Sequence, residues 1–260
     1  MHDFSLFFSI DSIIVFILVF SRISGMLITA PIFSTFPIPP QVKIALAAVC
    51  AFIMYPFIVQ HCSLITPKDL ISLSILLFKE LAIGILIGFA ISLIFTAVEI
   101  AGQLLSIEMG LAIATALDPV THQNVPIVGQ FYLFMASLVF ISINGHQYLF
   151  STVYDSYSSI PIDMTFAFSK HLTEQLLYFS SQIFLLAFSI IVPIYLMLFI
   201  VTILMGIISK IMPQMNVFMI ALPLKIYIGL ALMVMLLPST AIYISKLFGN
   251  LLININGMFS

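Results

Sequence analysis

Residues 175–209 read QLLYFSSQIFLLAFSIIVPIYLMLFIVTILMGIIS, and no Asp, Glu, Lys or Arg occurs between Glu174 and Lys210. A bilayer core about 30 Å thick takes roughly 20 helical residues to cross, so this run is long enough to span one. Further uncharged runs lie between Asp118 and Asp155, between Lys225 and Lys246, and over residues 81–98. The 260-residue chain is 62% hydrophobic and 7% charged, where a soluble domain is roughly 45–50% apolar and about 25% charged. Eight cations and ten acids cannot coat the surface of a soluble globule of this size, so lipid or other apolar subunits must cover much of it. The expected fold class is all-α: a polytopic helical membrane protein with about six long, Pro/Gly-interrupted apolar helices, packed in a hetero-oligomeric assembly.

The remaining composition narrows the classes. A net charge of −2 provides no basic patch to displace counterions from phosphate, so nucleic acid is excluded as a partner. Cys50 and Cys62 have no matching Cys or His spacing and read as small apolar residues, not as a disulfide or zinc framework. The N-terminal region carries acidic Asp3 and no basic leader, and reads as a retained membrane segment. Apolar segments are predicted at 4–30, 42–59, 70–98, 125–153, 176–208 and 217–237, with a tail at 240–252 too short to span. The connection Pro31-Ile-Phe-Ser-Thr-Phe-Pro-Ile-Pro-Pro40 cannot be helical throughout. Residues 102–124 read as a long connection, 155–175 as an exposed loop or short surface helix, and 209–216 as a tight joint around Pro213. The whole chain, 1–260, is expected to form one integral-membrane domain. Two Pro-framed helices with Lys near the start, from Pro40 to Pro56 and from Pro223 to Pro238, form a weak internal echo. The eight cations are spread almost one per connection and create no imbalance between alternate loops.

No Gly-rich phosphate loop, HExxH or GxSxG motif is present, and no catalytic residue, cofactor or metal is expected. Ionisable groups at membrane depth are costly and carry the candidate roles. They are Arg22, Lys79, Glu80, Glu99, Glu108 and Lys225. Each is either a functional group or a charge that pairs, caps a helix or snorkels to the interface. Lys79 and Glu80 are adjacent, so they point to different sides of a helix and meet different partners. Gly84 and Gly88 form a small-xxx-small pair that lets two helices approach closely. His146 reads as a cap or packing residue, and Asp118-Pro119 as a turn initiator. A connection as long as 102–124 that carries Met109, Leu111, Ile113 and Leu117 is unusual, and such loops are often functional.

Several blocks, in order, carry a resemblance: Arg22-Ile-Ser-Gly-Met-Leu-Ile-Thr-Ala-Pro-Ile-Phe33, Glu80-Leu-Ala-Ile-Gly-Ile-Leu-Ile-Gly-Phe89 and Glu99-Ile-Ala-Gly-Gln103 come first. They are followed by Met109-Gly110 through Asp118-Pro119, Val125-Pro-Ile-Val-Gly-Gln-Phe-Tyr132, Asn144-Gly-His146, Pro213-Gln-Met-Asn-Val-Phe218 and Leu222-Pro-Leu-Lys-Ile226. Over nearly its whole length the chain resembles the FliR/SctT family of type III secretion export-gate subunits. The Val-Gly-Gln-Phe-Tyr and Asn-Gly-His blocks favour the flagellar branch over the injectisome branch. One departure is Glu108, where the family more often has Gln.

The resemblance implies a non-enzymatic membrane subunit of the flagellar export gate, in the bacterial inner membrane at the flagellar basal body. Its implied partners are FliP-like and FliQ-like membrane subunits and an FlhB-like export switch protein, with unfolded flagellar proteins as transit substrates. It also implies that the loop matching residues 106–123 projects into the channel as a plug. There Met109, Leu111, Ile113 and Leu117 would form an apolar constriction, while Gly110, Asp118 and Pro119 shape the loop. Arg22, Gly84, Gly88, Glu99, Gln103, Pro213, Gln214, Asn216 and Lys225 are expected to serve subunit packing or internal structure, with Lys225 at a subunit contact. The competing readings are an injectisome export subunit, a proton-coupled secondary transporter using Glu99, Glu108 or Asp118, and a membrane scaffold without a conduit.

Overall fold

The computed structural model of the chain describes residues 10–35, 38–61, 69–111, 126–162, 170–214 and 216–259. They form helices α1 (Ile10–Thr29), α2 (Pro31–Thr35), α3 (Pro40–His61), α4 (Leu70–Glu108), α5 (Ile127–Ser142), α6 (Gly145–Ser159), α7 (Lys170–Ile211) and α8 (Val217–Phe259). No strand occurs among the described residues. Among the described residues, five helices are long and apolar enough to cross a membrane, and α5 with α6 makes a sixth if the pair counts as one span. The protein is therefore an all-α, multi-pass membrane protein. Backbone groups in hydrocarbon have no water to bond, and a helix satisfies them within its own segment.

Four sequence boundaries are corrected. α4 continues past residue 98 to Glu108, so the connection expected from residue 102 starts later. The segment expected at 125–153 is two helices, because Asn144 takes the left-handed conformation at φ 57°, which Asn tolerates better than most residues. Asp155 belongs to α6 and not to a loop. The tail at 240–252 is no separate element, since α8 runs unbroken through Pro223 and Pro238 to Phe259. A proline removes one intrahelical hydrogen bond. In apolar surroundings, breaking the helix there would strand several more.

The described residues cluster into two compact units. The first comprises the chain up to Leu93, Asn144–Ser180 and the chain from Gly249; the second comprises Ile94–Ile143 and Ser181–Phe248. In the first unit α1 packs on α3 and crosses the early part of α4. The crossing is very close: a Cβ on Gly25 would sit 2.5 Å from the Leu81 carbonyl oxygen, and one on Gly84 would strike the Arg22 carbonyl. Gly88 faces Met26 and Thr29 in the same way. Ser21 donates to the Leu77 carbonyl at 3.1 Å, and Thr29 to that of Ile85 at 3.2 Å. Small residues one turn apart on α1 thus meet small residues one turn apart on α4, and dispersion contacts between backbones replace a side-chain interface.

In the second unit, the later part of α4 meets α5 at another glycine pair. A Cβ on Gly102 would lie 2.5 Å from Gly129 Cα. Farther along, Phe95, Phe140 and Phe248 pack ring against ring, with centroids 5.1–5.8 Å apart. All three rings are buried, and their tilted and edge-to-face geometry is what aromatic quadrupoles favour.

Candidate functional site

Five of the six charges that the sequence placed at membrane depth, all but Glu99, gather into two polar clusters, one in each unit. In the first, Arg22 of α1 and Glu80 of α4 form an ion pair with both side chains 0% exposed. Arg22 Nε donates to Glu80 Oε2 at 2.6 Å and Nη2 donates to Oε1 at 3.0 Å, the fork-to-carboxylate geometry that suits guanidinium. Nη1 donates to Ser156 Oγ at 2.8 Å and Nη2 to the Ile160 carbonyl at 3.0 Å. The guanidinium carbon lies 3.7 Å from the centre of the Tyr157 ring, a cation–π contact. Next to Glu80, Lys79 turns elsewhere and donates to the Pro161 carbonyl at 3.3 Å. Two cations therefore meet carbonyls just beyond the end of α6, where helix dipoles favour positive charge. A buried pair is tolerable only when its remaining donors and acceptors are satisfied, and the end of α6 supplies that satisfaction.

The second cluster lies where α4 ends. Glu108 Oε1 accepts from Lys225 Nζ of α8 at 3.1 Å and from Thr202 Oγ1 of α7 at 3.0 Å. The two charged side chains are 15% and 18% exposed. Met109 follows, fully buried, against Gly229. Gly110 then leaves the helix at φ +80°, with Leu222 in the space a Cβ would need. Left-handed glycine is a common way to end a helix.

The other sequence-named residues are placed as follows. Gln103 donates to Glu99 Oε1 at 3.2 Å along α4. Pro213 and Gln214 form an exposed turn before α8, and the exposed Asn216 offers its carbonyl to Met219 N–H at 3.1 Å. Lys225, expected at a subunit contact, has its carboxylate partner within its own chain. Glu108, where the resemblance led to the expectation of Gln, is the carboxylate of that same contact. Leu111 is half-buried, while Ile113, Leu117, Asp118 and Pro119 lie outside the described residues. No group of three His, Cys, Asp or Glu side chains that could hold a metal ion occurs among the described residues.

Sequence reading missed Ser156, Tyr157 and Thr202, which carry no membrane-depth charge and stand far along the chain from the groups they serve. It also missed Gly25 and Gly129 as packing positions. Both lie inside the quoted blocks, and Gly25 with Thr29 repeats the small-xxx-small spacing that singled out Gly84 and Gly88.

Residues 13–251 match the model of the family described as bacterial export proteins, family 1. The chain is 32% identical over 243 residues to the flagellar biosynthetic protein FliR of Bacillus subtilis (strain 168), covering 92% of each chain. It is 30% identical over 230 residues to the flagellar biosynthetic protein FliR of Escherichia coli (strain K12), covering 88% of this chain and 87% of that one. It is also 27% identical over 173 residues to the surface presentation of antigens protein SpaR of Shigella flexneri, covering 66% of this chain and 65% of that one.

Proposed function

This chain belongs to the bacterial export proteins, family 1, and from that premise we propose that it is a membrane subunit of the flagellar type III protein-export gate. The observation that carries the reading is the similarity to flagellar relatives over about nine-tenths of the chain; the surface presentation of antigens relative aligns over 66% of it. Multiple membrane-long helices agree with this reading. The protein acts as part of a conduit and not as an enzyme. It resides in the bacterial inner membrane at the flagellar basal body, assembled with FliP-like and FliQ-like subunits and an FlhB-like switch protein. Unfolded flagellar proteins pass through the assembly.

Within the gate, the segment after Gly110 seals the resting channel. Leu111, Ile113 and Leu117 supply the apolar closure, and Asp118 and Pro119 shape the turn; Met109, expected in the constriction, is instead buried against Gly229 and forms the stem with Gly110. A compliant apolar seal suits a channel for unfolded chains. It makes no fixed hydrogen bonds to any one sequence, and it can exclude ions by dewetting. Arg22, Gly84 and Gly88 serve internal packing, as do Glu99 and Gln103. The turn at Pro213, Gln214 and Asn216 faces outward and is available to partner subunits.

Affinity purification of the chain from its own host in mild detergent tests the assignment. Small FliP-like and FliQ-like membrane proteins are expected to co-purify, and cells lacking the chain are expected to make no flagellar filament. Recovery of the chain alone or as a homo-oligomer, with filaments intact in its absence, would favour the transporter reading. Deleting residues 111–116 is expected to leave the complex assembled and to lower membrane potential. An intact complex with unchanged potential would return the segment to a plain connector.

A further inference from the structure

The last residue of α4 and the two that follow it are each held by one face of α8. Leu222, Lys225 and Gly229 are spaced three and four residues apart, which puts them on the same side of a helix. Leu222 fills the space beside Gly110, Lys225 pairs with Glu108, and the bare backbone of Gly229 makes room for the buried Met109. Thr202 adds a hydroxyl from α7 to the same carboxylate oxygen.

The charge on Glu108 is placed against its local preference. It terminates a 39-residue helix whose last turn holds no basic residue, and the C-terminal end of a helix disfavours negative charge. Nothing in α4 itself compensates it; the compensation comes across the packing from Lys225. Without Lys225 the carboxylate would loosen the final turn that carries it. With Lys225 the final turn, Met109 and Gly110 are all drawn onto α8. The two side chains keep 15% and 18% exposure in the single chain, against none for Arg22 and Glu80, so opening this pair strands its charges less than opening a fully enclosed one.

We propose that Glu108 and Lys225, with Thr202, form a positioning clamp that docks the end of α4 on α8 and so sets where the chain leaves the helix toward the sealing segment. The clamp deepens the proposed gate function and rests on it for its consequence, but its geometry can be tested separately. A β-carbon at position 229 would lie 2.8 Å from Met109 Cγ, so the β-carbons of residues 109 and 229 fall inside the roughly 4.5 Å that a disulfide tolerates.

The experiment uses the full chain in the assembled complex, in a Cys50→Ala/Cys62→Ala background carrying Met109→Cys and Gly229→Cys. The initial rate of disulfide formation with a mild oxidant reports docking of the stem. Glu108→Lys or Lys225→Glu is expected to slow it about ten-fold, and the double exchange Glu108→Lys/Lys225→Glu to restore it. Where a reversal fails to assemble, Glu108→Gln replaces it, with an expected slowing of about three-fold. A rate indifferent to these changes, or an assembled double exchange that stays slow, overturns the clamp. Membrane potential is followed in the same variants beside the 111–116 deletion. If cross-linking tracks charge but neither the reversals nor the deletion changes the potential, the clamp stands and the sealing role falls. If the deletion depolarises the cells while cross-linking ignores charge, the clamp falls and the sealing role stands.

Discussion

Arg22–Glu80 in the first unit and Glu108–Lys225 in the second join the same kinds of groups at different depths. Both Glu80 oxygens are engaged, and the guanidinium is further held by Ser156, the Ile160 carbonyl and the Tyr157 ring, with neither charge exposed. At Glu108 one oxygen accepts from both Lys225 and Thr202, and each charged partner keeps some access to its surroundings. A sealed, multiply satisfied pair cannot open without stranding a charge, so it fastens helices permanently. A less enclosed pair at a helix end can open at lower cost, which suits a place where the chain changes course. Depth and satisfaction, more than the presence of opposite charges, decide which role an ion pair in a membrane protein can take.

The largest expected effect breaks the sealed pair. Glu80→Ala leaves the Arg22 guanidinium buried without its carboxylate, at a cost of about 3–5 kcal/mol. The variant is expected to be degraded in cells and to lose its unfolding transition in detergent. Replacing both charges with apolar residues, Arg22→Met/Glu80→Leu, should recover most of the loss. A stable Glu80→Ala protein would mean that the pair is less sealed than its geometry indicates. Next comes Gly84→Leu, which drives a side chain into the Arg22 backbone at the α1–α4 crossing. Overpacking of this kind costs about 1–3 kcal/mol and should lower the melting temperature of the purified complex; an unchanged melting temperature would show that the crossing can spread.

Smaller effects are expected in the second unit. Lys225→Ala leaves Glu108 with the Thr202 hydroxyl and should cost about 1 kcal/mol. The complex should remain assembled, with the 109–229 cross-link slowed. A loss as large as that of Glu80→Ala would erase the distinction between the two pairs. Thr202→Val keeps the shape and removes the hydroxyl that meets Glu108. Its expected cost is about 0.5–1 kcal/mol, read as a slight slowing of the same cross-link with normal assembly. A slowing equal to that of Lys225→Ala would move the main anchor of the clamp from α8 to α7.

The helical, multi-pass character was legible from the uncharged runs alone, and the costly charges Arg22, Lys79, Glu80, Glu108 and Lys225 were legible as candidates. The different directions of Lys79 and Glu80 followed from their adjacency on a helix, where neighbouring residues lie about 100° apart. What could not be read was the identity of the partners. Glu80 stands 58 residues from Arg22, and Ser156 stands 134 from it; neither Ser156 nor Tyr157 carries any mark in a lone sequence. The extension of α4 to Glu108 was hidden because Gly102 and Gln103 look like loop residues until Gly129 is seen against them. The unbroken α8 was hidden because Pro238 reads locally as a stop.

By itself, the sequence determined that this chain lives in a membrane and is built of helices. Those outcomes depend on the summed transfer cost of consecutive residues, and each residue contributes its share wherever its neighbours in space happen to be. Only the tertiary structure decided that Arg22 is locked and Glu108 is clamped, and that Met109 sits buried beneath Gly229 at the head of the candidate sealing segment. Those outcomes depend on distances between side chains far apart in the chain, where a shift of one or two ångströms separates a satisfied charge from a stranded one.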